Sequence, residues 1–383
     1  MENVVVLGST GSIGRNTLDV LGRLKNHKLI GISFNRNLNE AVKQIERFKP
    51  RYVCCGKGID IDQLHSQYPE ITFFKGKEGL LQLCNIDEAT LFVNALVGTA
   101  GLLPTYTVLS NTKKLALANK ESLVIGGKLI LDLCKRYSLE IVPLDSEHSA
   151  IYQCLEGKEK RLVKSVILTA SGGPFIDRDD FADITVDEAL KHPNWSMGKK
   201  VTIDSATMMN KGFEIIEARW LFDLDPRKIK VLIHRQSIIH SAVEFIDGSI
   251  MAQMAYPDMR IPIAYALTKP ERIPLDLTID LASIGTLSFE KPDTKKFPTI
   301  EFAYEALRKE ETNAAAVLNA ADEVAVEYFL EGKIAFKDIF RLLELALKKF
   351  VDHLPGNIFE LEQQTVDIEN QIRKLIEKDF IGG

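Results

Sequence analysis

Cysteine is scarce in this 383-residue chain, and the few present lack a pattern. The five residues, Cys54, Cys55, Cys84, Cys134 and Cys154, are odd in number and include no C-x-x-C pair. That gives no basis for a disulfide framework or a cysteine zinc site, and reduced, buried thiols are expected. No apolar run approaches the roughly 20 residues that a membrane helix needs. A surplus of positive charge is missing too. The formal net charge of −5 argues against a nucleic-acid-binding surface, while leaving room for a local basic pocket that takes a small anion. Nothing resembling a leader precedes the β-type run Val4, Val5, Val6, Leu7, so no signal or transit segment and a cytoplasmic location are expected. Internal repeats and low-complexity stretches are also absent. What is present is an ordinary globular balance, 45% hydrophobic and 26% charged, enough for more than one buried core.

Between residues 3 and 150, short apolar runs alternate with helical ones. Strands are expected at 3–7, 28–33, 52–55, 91–94, 114–117 and 140–144, with helices such as 16–23 and 38–48 between them. Such alternation means βαβ units and a mainly parallel sheet. Further on, expected strands lie closer together, at 163–170, 230–234, 242–245 and 249–254, and Asp247-Gly248 has hairpin spacing. This describes an α+β region with a mostly antiparallel sheet. Pro270, Pro274, Pro292 and Pro298 mark an extended connector, and 301–307, 314–329 and 336–350 have helical periodicity.

The first expected strand runs straight into Gly8-Ser9-Thr10-Gly11-Ser12-Ile13-Gly14. Glycines after a strand permit a tight turn, and the helix that follows offers N–H donors to a pyrophosphate. The spacing is G-x-x-G-x-x-G rather than G-x-G-x-x-G, so its position after the strand carries the inference. An NAD site usually has an acid at the end of the second strand. Here that strand ends Ser33-Phe34-Asn35-Arg36-Asn37, and Arg36 offers a guanidinium suited to a 2′-phosphate. NADP(H) is preferred; the plainer alternative is a solvated loop arginine. The expected fold is α/β: a Rossmann-like dinucleotide-binding domain over 1–150, a central α+β catalytic domain over 151–285, a connector over 286–310 and a C-terminal helical domain over 311–383.

Open parallel sheets bind ligands at the carboxyl ends of their strands. Asn119-Lys120-Glu121-Ser122 and Asp145-Ser146-Glu147-His148 both fall there. Asp145 and Glu147, two apart, point to one side if the segment is extended. Paired carboxylates repel unless a cation lies between them, and all-oxygen ligands suit magnesium or manganese. The alternative is a helix-capping acid followed by a surface acid. Residues 192–217 hold a third cluster. Asn210, Lys211 and Glu214 share a helix face behind Ser205 and Thr207, a set able to bind a phosphate and complete a metal site, or else an ordinary surface ion pair. Ser171-Gly172-Gly173-Pro174 can hold an anion. The segment from His192 to Gly198, with Pro193, Trp195 and Met197, has the character of a lid. Trp195 packing between domains is the plainer alternative.

GSTGSIG at 8–14, NKES at 119–122, LDSEHSAI at 144–151, SGGPF at 171–175, HPNWSMGKKVTIDSATMMNKGFEIIEA at 192–218, YPDMRIPIAYAL at 256–267 and LNAADEVAV at 318–326 resemble the 1-deoxy-D-xylulose 5-phosphate reductoisomerase family, in order along the chain. The resemblance implies a homodimeric enzyme that uses NADPH and a divalent metal. Its substrate is 1-deoxy-D-xylulose 5-phosphate, which it rearranges and reduces to 2-C-methyl-D-erythritol 4-phosphate for isoprenoid precursor synthesis. It also implies residue roles. Thr10, Gly11, Ser12 and Ile13 hold the NADPH pyrophosphate, Asn35, Arg36 and Asn37 lie by the 2′-phosphate, and Asn119, Glu121 and Gly198 meet the nicotinamide half. Asp145, Glu147 and Glu214 bind the metal and, with Lys120, form the catalytic set. Lys120, Ser146, Glu147 and Glu214 meet substrate oxygens. Ser171, His192, Ser205, Asn210 and Lys211 hold the phosphate end and a nearby hydroxyl, with Trp195 and Met197 in the lid. The alternative is a simple NADP-dependent dehydrogenase acting on a phosphorylated substrate, whose acids are structural. A non-catalytic NADP(H) sensor is a third reading.

Overall fold

A computed structural model describes residues 1–191 and 198–381. The described residues form two compact units. One comprises Met1–Ser122, Ile130–Ser149 and Asp258–Asp276; the other comprises Leu123–Leu129, Ala150–Pro257 and the chain from Leu277 onward.

The first unit is built on seven strands: β1 Glu2–Leu7, β2 His27–Phe34, β3 Tyr52–Cys55, β4 Thr72–Lys75, β5 Leu91–Asn94, β6 Lys114–Leu117 and β7 Ile141–Pro143. They pair in parallel in the order β4-β3-β2-β1-β5-β6-β7. β1 and β5 are neighbours, so the strand order reverses between them, and that switch point opens a crevice at their carboxyl ends. Val4, Val5, Val6 and Leu7 are fully buried, as a strand covered on both faces requires. β4 was not expected from the sequence, because its Thr-Phe-Phe-Lys lies at the sheet edge and is only half-buried. The helix Arg260–Thr268, expected within the central domain, belongs to this unit. Its Ile263, Ala264, Ala266 and Leu267 join the core that covers Leu18 and Leu21 of the helix Ser12–Leu21.

The second unit holds β8 Val163–Ala170, β9 Ile229–Ile233, β10 Ile239–Phe245 and β11 Ile250–Met254, in the order β11-β10-β8-β9. Two of the pairings are antiparallel and β8 with β9 is parallel. Gly248, at φ +85°, turns the hairpin between β10 and β11. Helices Thr299–Arg308, Ala314–Leu330, Phe336–Lys349 and Ile358–Ile376 belong to the same unit as this sheet. No helix among the described residues is long and apolar enough to cross a membrane.

All five cysteines are free and buried. Burial, with Cys55 adding to it, pushes the Cys54 thiol up to about 12; burial pushes Cys134 and Cys154 up to about 11. The thiolate is the reactive species. An aromatic disulfide reagent at mildly alkaline pH should therefore leave the native protein almost unlabelled and titrate all five thiols after denaturation. Fast labelling of the native chain would contradict this burial.

Candidate active site

The glycine turn sits at the switch point. Gly8, at φ +81°, lies so close to the end of β5 that a Cβ there would fall 2.6 Å from the Ala95 carbonyl oxygen. A Cβ at Gly14 would meet the Gly8 oxygen at 2.4 Å and Ser9 Cα at 2.5 Å. The turn is tied to the second strand: the Gly8 N–H donates to Ser33 Oγ at 2.9 Å, and the Ser9 N–H donates to the Ser33 carbonyl at 2.8 Å. Buried Ser9 and Gln44 exchange two further bonds. Gly11 caps the helix Ser12–Leu21 with no side-chain bond. The first-turn N–H groups beside exposed Gly11 and Ser12 thus face outward, as an anion site needs. Thr10 and Ile13 flank them, half-buried.

Past β2, Asn35, Arg36 and Asn37 are exposed. Asn37 is committed: its side chain accepts the Glu40 N–H at 3.2 Å and caps the helix Leu38–Phe48. Asn35 lies against Gly56, where a Cβ would be 2.3 Å from its carbonyl oxygen. The Arg36 guanidinium has no carboxylate partner among the described residues.

Asn119 begins the helix Lys120–Tyr137 and is almost fully buried. Its Nδ2 donates to the carbonyls of Leu96 at 3.1 Å and Gly98 at 3.0 Å and to Glu121 Oε2 at 2.6 Å, while its Oδ1 accepts the Ser122 N–H at 3.0 Å. Asn119 and Glu121 are thus bonded to each other at the start of the helix that carries Lys120. Lys120 Nζ donates to Asp145 Oδ2. The same Asp145 accepts the Glu147 N–H at 3.2 Å through Oδ1, and Ser146 Oγ donates to Glu147 Oε2 at 2.5 Å.

The extended geometry expected for Asp145 and Glu147 is not what forms. Asp145 precedes the helix Ser146–Leu155, and Glu147 lies in its first turn. The acid that starts a helix accepts first-turn N–H groups, so local capping wins over extension. Asp145 is therefore both a cap and a partner of Lys120. His148, fully buried, places Nδ1 3.8 Å from Asp145 Oδ1.

In the second unit, the helices Lys199–Ala206 and Met209–Phe222 are joined through Met208, held at φ +61°. On the second helix Asn210 Nδ2 donates to Glu214 Oε1 at 2.7 Å, and Lys211 Nζ donates to Glu214 Oε2 at 2.5 Å. Lys211 is 4% exposed and Glu214 0%, so this is no surface pair. A surface pair contributes about 0–1 kcal/mol, whereas removing one partner of a buried pair costs about 3–5 kcal/mol. Among the described residues, Asn210 Oδ1 is buried without a hydrogen-bond partner. The Ser171 loop belongs to the same neighbourhood as Ser205: a Cβ on Gly173, at φ +68°, would sit 2.5 Å from the Ser205 carbonyl oxygen. Gly198 begins the helix Lys199–Ala206 and is exposed. His192, Trp195 and Met197 lie outside the described residues.

With these elements in place, likeness to known proteins decides the family. The sequence model of 1-deoxy-D-xylulose 5-phosphate reductoisomerase matches residues 4–127, that of its C-terminal domain matches 141–222, and that of the DXP reductoisomerase C-terminal domain matches 254–376. A 1-deoxy-D-xylulose 5-phosphate reductoisomerase of Thermodesulfovibrio yellowstonii is 45% identical over 99% of this chain and 100% of its own. The chain belongs to the 1-deoxy-D-xylulose 5-phosphate reductoisomerase family. The enzyme of Zymomonas mobilis, solved with NADPH, superposes with a TM-score of 0.91 at 36% identity, covering 98% of this chain and 99% of the other. A reductoisomerase solved with NADPH, fosmidomycin and magnesium gives 0.91 at 35% identity, covering 99% and 98%.

One junction escaped the sequence reading. Lys200 Nζ donates to Asp204 Oδ2 at 2.7 Å and to Asp322 Oδ2 at 2.6 Å, and lies 3.8 Å from Glu323 Oε2. The i, i+4 spacing of Lys200 and Asp204 was visible; Asp322 is too distant in sequence to be found that way. Burial first, then Asp322, holds the Asp204 carboxyl well above the usual range, with Lys200 opposing. The folded state thus keeps a proton that the unfolded chain releases. That contribution is full below an unfolded pKa of about 4 and declines as pH rises through the folded value. In Asp204→Asn, thermal unfolding midpoints should fall less steeply from about pH 4 upward than in the parent chain. Parallel profiles would remove this assignment.

Proposed function

We propose that this chain converts 1-deoxy-D-xylulose 5-phosphate to 2-C-methyl-D-erythritol 4-phosphate, using NADPH and a divalent cation, magnesium or manganese. The observation that carries the reading is the buried set Asn210, Lys211 and Glu214. It brings an ammonium, a carboxylate and an unpaired acceptor to one helix turn, a chemistry that fits a phosphorylated, hydroxylated ligand and not a packing role. Lys211 with Ser171 and Ser205 would hold the phosphate, and Asn210 Oδ1 would accept a substrate hydroxyl. Anchoring the phosphate lets remote binding energy orient the reacting carbons. Ser146 and Glu147 would meet the other end of the substrate, with His192 and the lid residues Trp195 and Met197 completing its enclosure.

The glycine cradle and open helix end fit a pyrophosphate at Thr10, Gly11, Ser12 and Ile13, and unpaired Arg36 fits the 2′-phosphate between Asn35 and Asn37. Asn119, Glu121 and Gly198 would border the nicotinamide. NADPH supplies the hydride when bound. Asp145, Glu147 and Glu214 would hold the cation, since all-oxygen ligands suit a hard ion, and it would supply Lewis-acid polarisation of substrate oxygens. Lys120, held on Asp145, is placed to give or share a proton with a substrate oxygen. We also take the segments 151–285, 286–310 and 311–383 as catalytic region, connector and helical support, with Asp258–Asp276 set apart in the first unit, and the cytoplasm as the location.

Full-length protein with magnesium should oxidise NADPH only when 1-deoxy-D-xylulose 5-phosphate is added. EDTA should abolish the reaction, and Glu214→Gln or Asp145→Asn should lower kcat by about a hundredfold or more. No NADPH oxidation would sink the proposal. Oxidation that survives EDTA and both substitutions would favour the simple dehydrogenase.

The homodimer is part of the same proposal. Among the described residues β11 has a strand neighbour on one side only, and Ile250 and Met251 on it are 59% and 43% exposed. An apolar edge strand left open is a pairing hazard unless something covers it. Met251→Lys with Ile250→Lys should shift sedimentation from dimer toward monomer. An unchanged dimer would place the interface elsewhere.

A further inference from the structure

Lys200 sits where three helices of the second unit meet. It bonds Asp204 on its own helix, Lys199–Ala206, and Asp322 on the helix Ala314–Leu330. Its ammonium also lies 4.8 Å from the ring centroid of Phe213, on the helix Met209–Phe222. Two of these contacts, Asp204 and Phe213, are one residue away from a residue of the proposed substrate site. Asp204 directly precedes Ser205, whose carbonyl backs the Gly173 turn of the Ser171 loop. Phe213 lies between Lys211 and Glu214. Lys200 itself follows Gly198 by two residues.

We propose that Lys200, Asp204 and Asp322 form a buried positioning cluster that sets affinity for the substrate's phosphate end by fixing the helix of Ser205 against the helices of Phe213 and Asp322. The inference rests on the reading that Ser205 and Lys211 receive that phosphate.

Energetics favour positioning over simple stabilisation. Asp204 and Asp322 are 3% and 0% exposed, and each has its second carboxylate oxygen, Oδ1, buried with no hydrogen-bond partner among the described residues. Two carboxylates and one ammonium withdrawn from water, with acceptors left over, gain little net stability; apolar residues of similar volume often serve as well or better. What an apolar contact does not supply is direction. A lysine bridging two acids fixes the rotation and axial register of its helix, and Ser205 turns with it. The raised Asp204 carboxyl accords with this, because one proton between the two acids leaves the cluster close to neutral.

The test compares Lys200→Met, the triple variant Lys200→Met/Asp204→Asn/Asp322→Leu and Ser205→Ala with the parent, all as full chains. Thermal unfolding and steady-state kinetics are measured with magnesium, varying each substrate in turn. Lys200→Met should raise KM for 1-deoxy-D-xylulose 5-phosphate about tenfold or more, with KM for NADPH within about twofold. The triple variant should recover the melting temperature lost in Lys200→Met while its substrate KM stays raised. It also keeps the test available should Lys200→Met fail to fold. A cluster serving only the fold would lower the active fraction and leave KM unchanged, and that result overturns the inference. So does a triple variant whose KM returns to the parent value. An unchanged KM in Ser205→Ala removes the phosphate reading itself, and the inference with it.

Discussion

Carboxylates withdrawn from water have to be neutralised, and this chain does so with lysine. In the first unit Lys120 holds Asp145; in the second, Lys211 holds Glu214, and Lys200 holds Asp204 and Asp322. Moving such a charge out of water costs several kcal/mol even after relaxation, and each ammonium offsets part of that cost. The surrounding elements serve these pairs. Asn119 has its side chain spent on starting the helix of Lys120, and the left-handed turn at Met208 aims the helix of Lys211 and Glu214. The lysines therefore hold these carboxylates in place.

The Ser171 loop gains its rigidity differently. The Phe175 ring, four residues on, packs edge-on to Phe336 at 5.3 Å, and Phe181 meets Phe336 and Phe297 at 5.5 Å. Aromatic pairs of this kind fix orientation as well as burying area. The C-terminal helices thereby reach the loop through side chains far away in sequence.

Local order was legible in the sequence where burial is two-sided. β3, β5, β6 and β8 have the expected bounds because most of their residues are buried and apolar. The glycine turn was legible because backbone crowding at Gly8 and Gly14 admits no side chain. The residue types of the site were also legible, but their geometry less so. Asp145 and Glu147 were expected on an extended segment, whereas a cap at Asp145 starts a helix. The helix caps made by the side chains of Asn37 and Asn119 were not part of the expectation. The Lys200 junction and the membership of residues 258–276 were hidden for one reason: both are contacts between segments distant in the chain, and periodicity reports only neighbours.

That return of the chain has a consequence for how the first unit can exist. Its sheet is complete by Pro143, yet part of the cover over the helix Ser12–Leu21 arrives more than a hundred residues later, with Ile263, Ala264, Ala266 and Leu267. Translation therefore delivers the whole sheet before the wall that seals its core, and that core waits on synthesis of nearly the whole of the intervening segment. The cofactor-binding half is not a cassette that recombination could lift out at residue 150 and graft elsewhere. It is inherited with its neighbour or not at all.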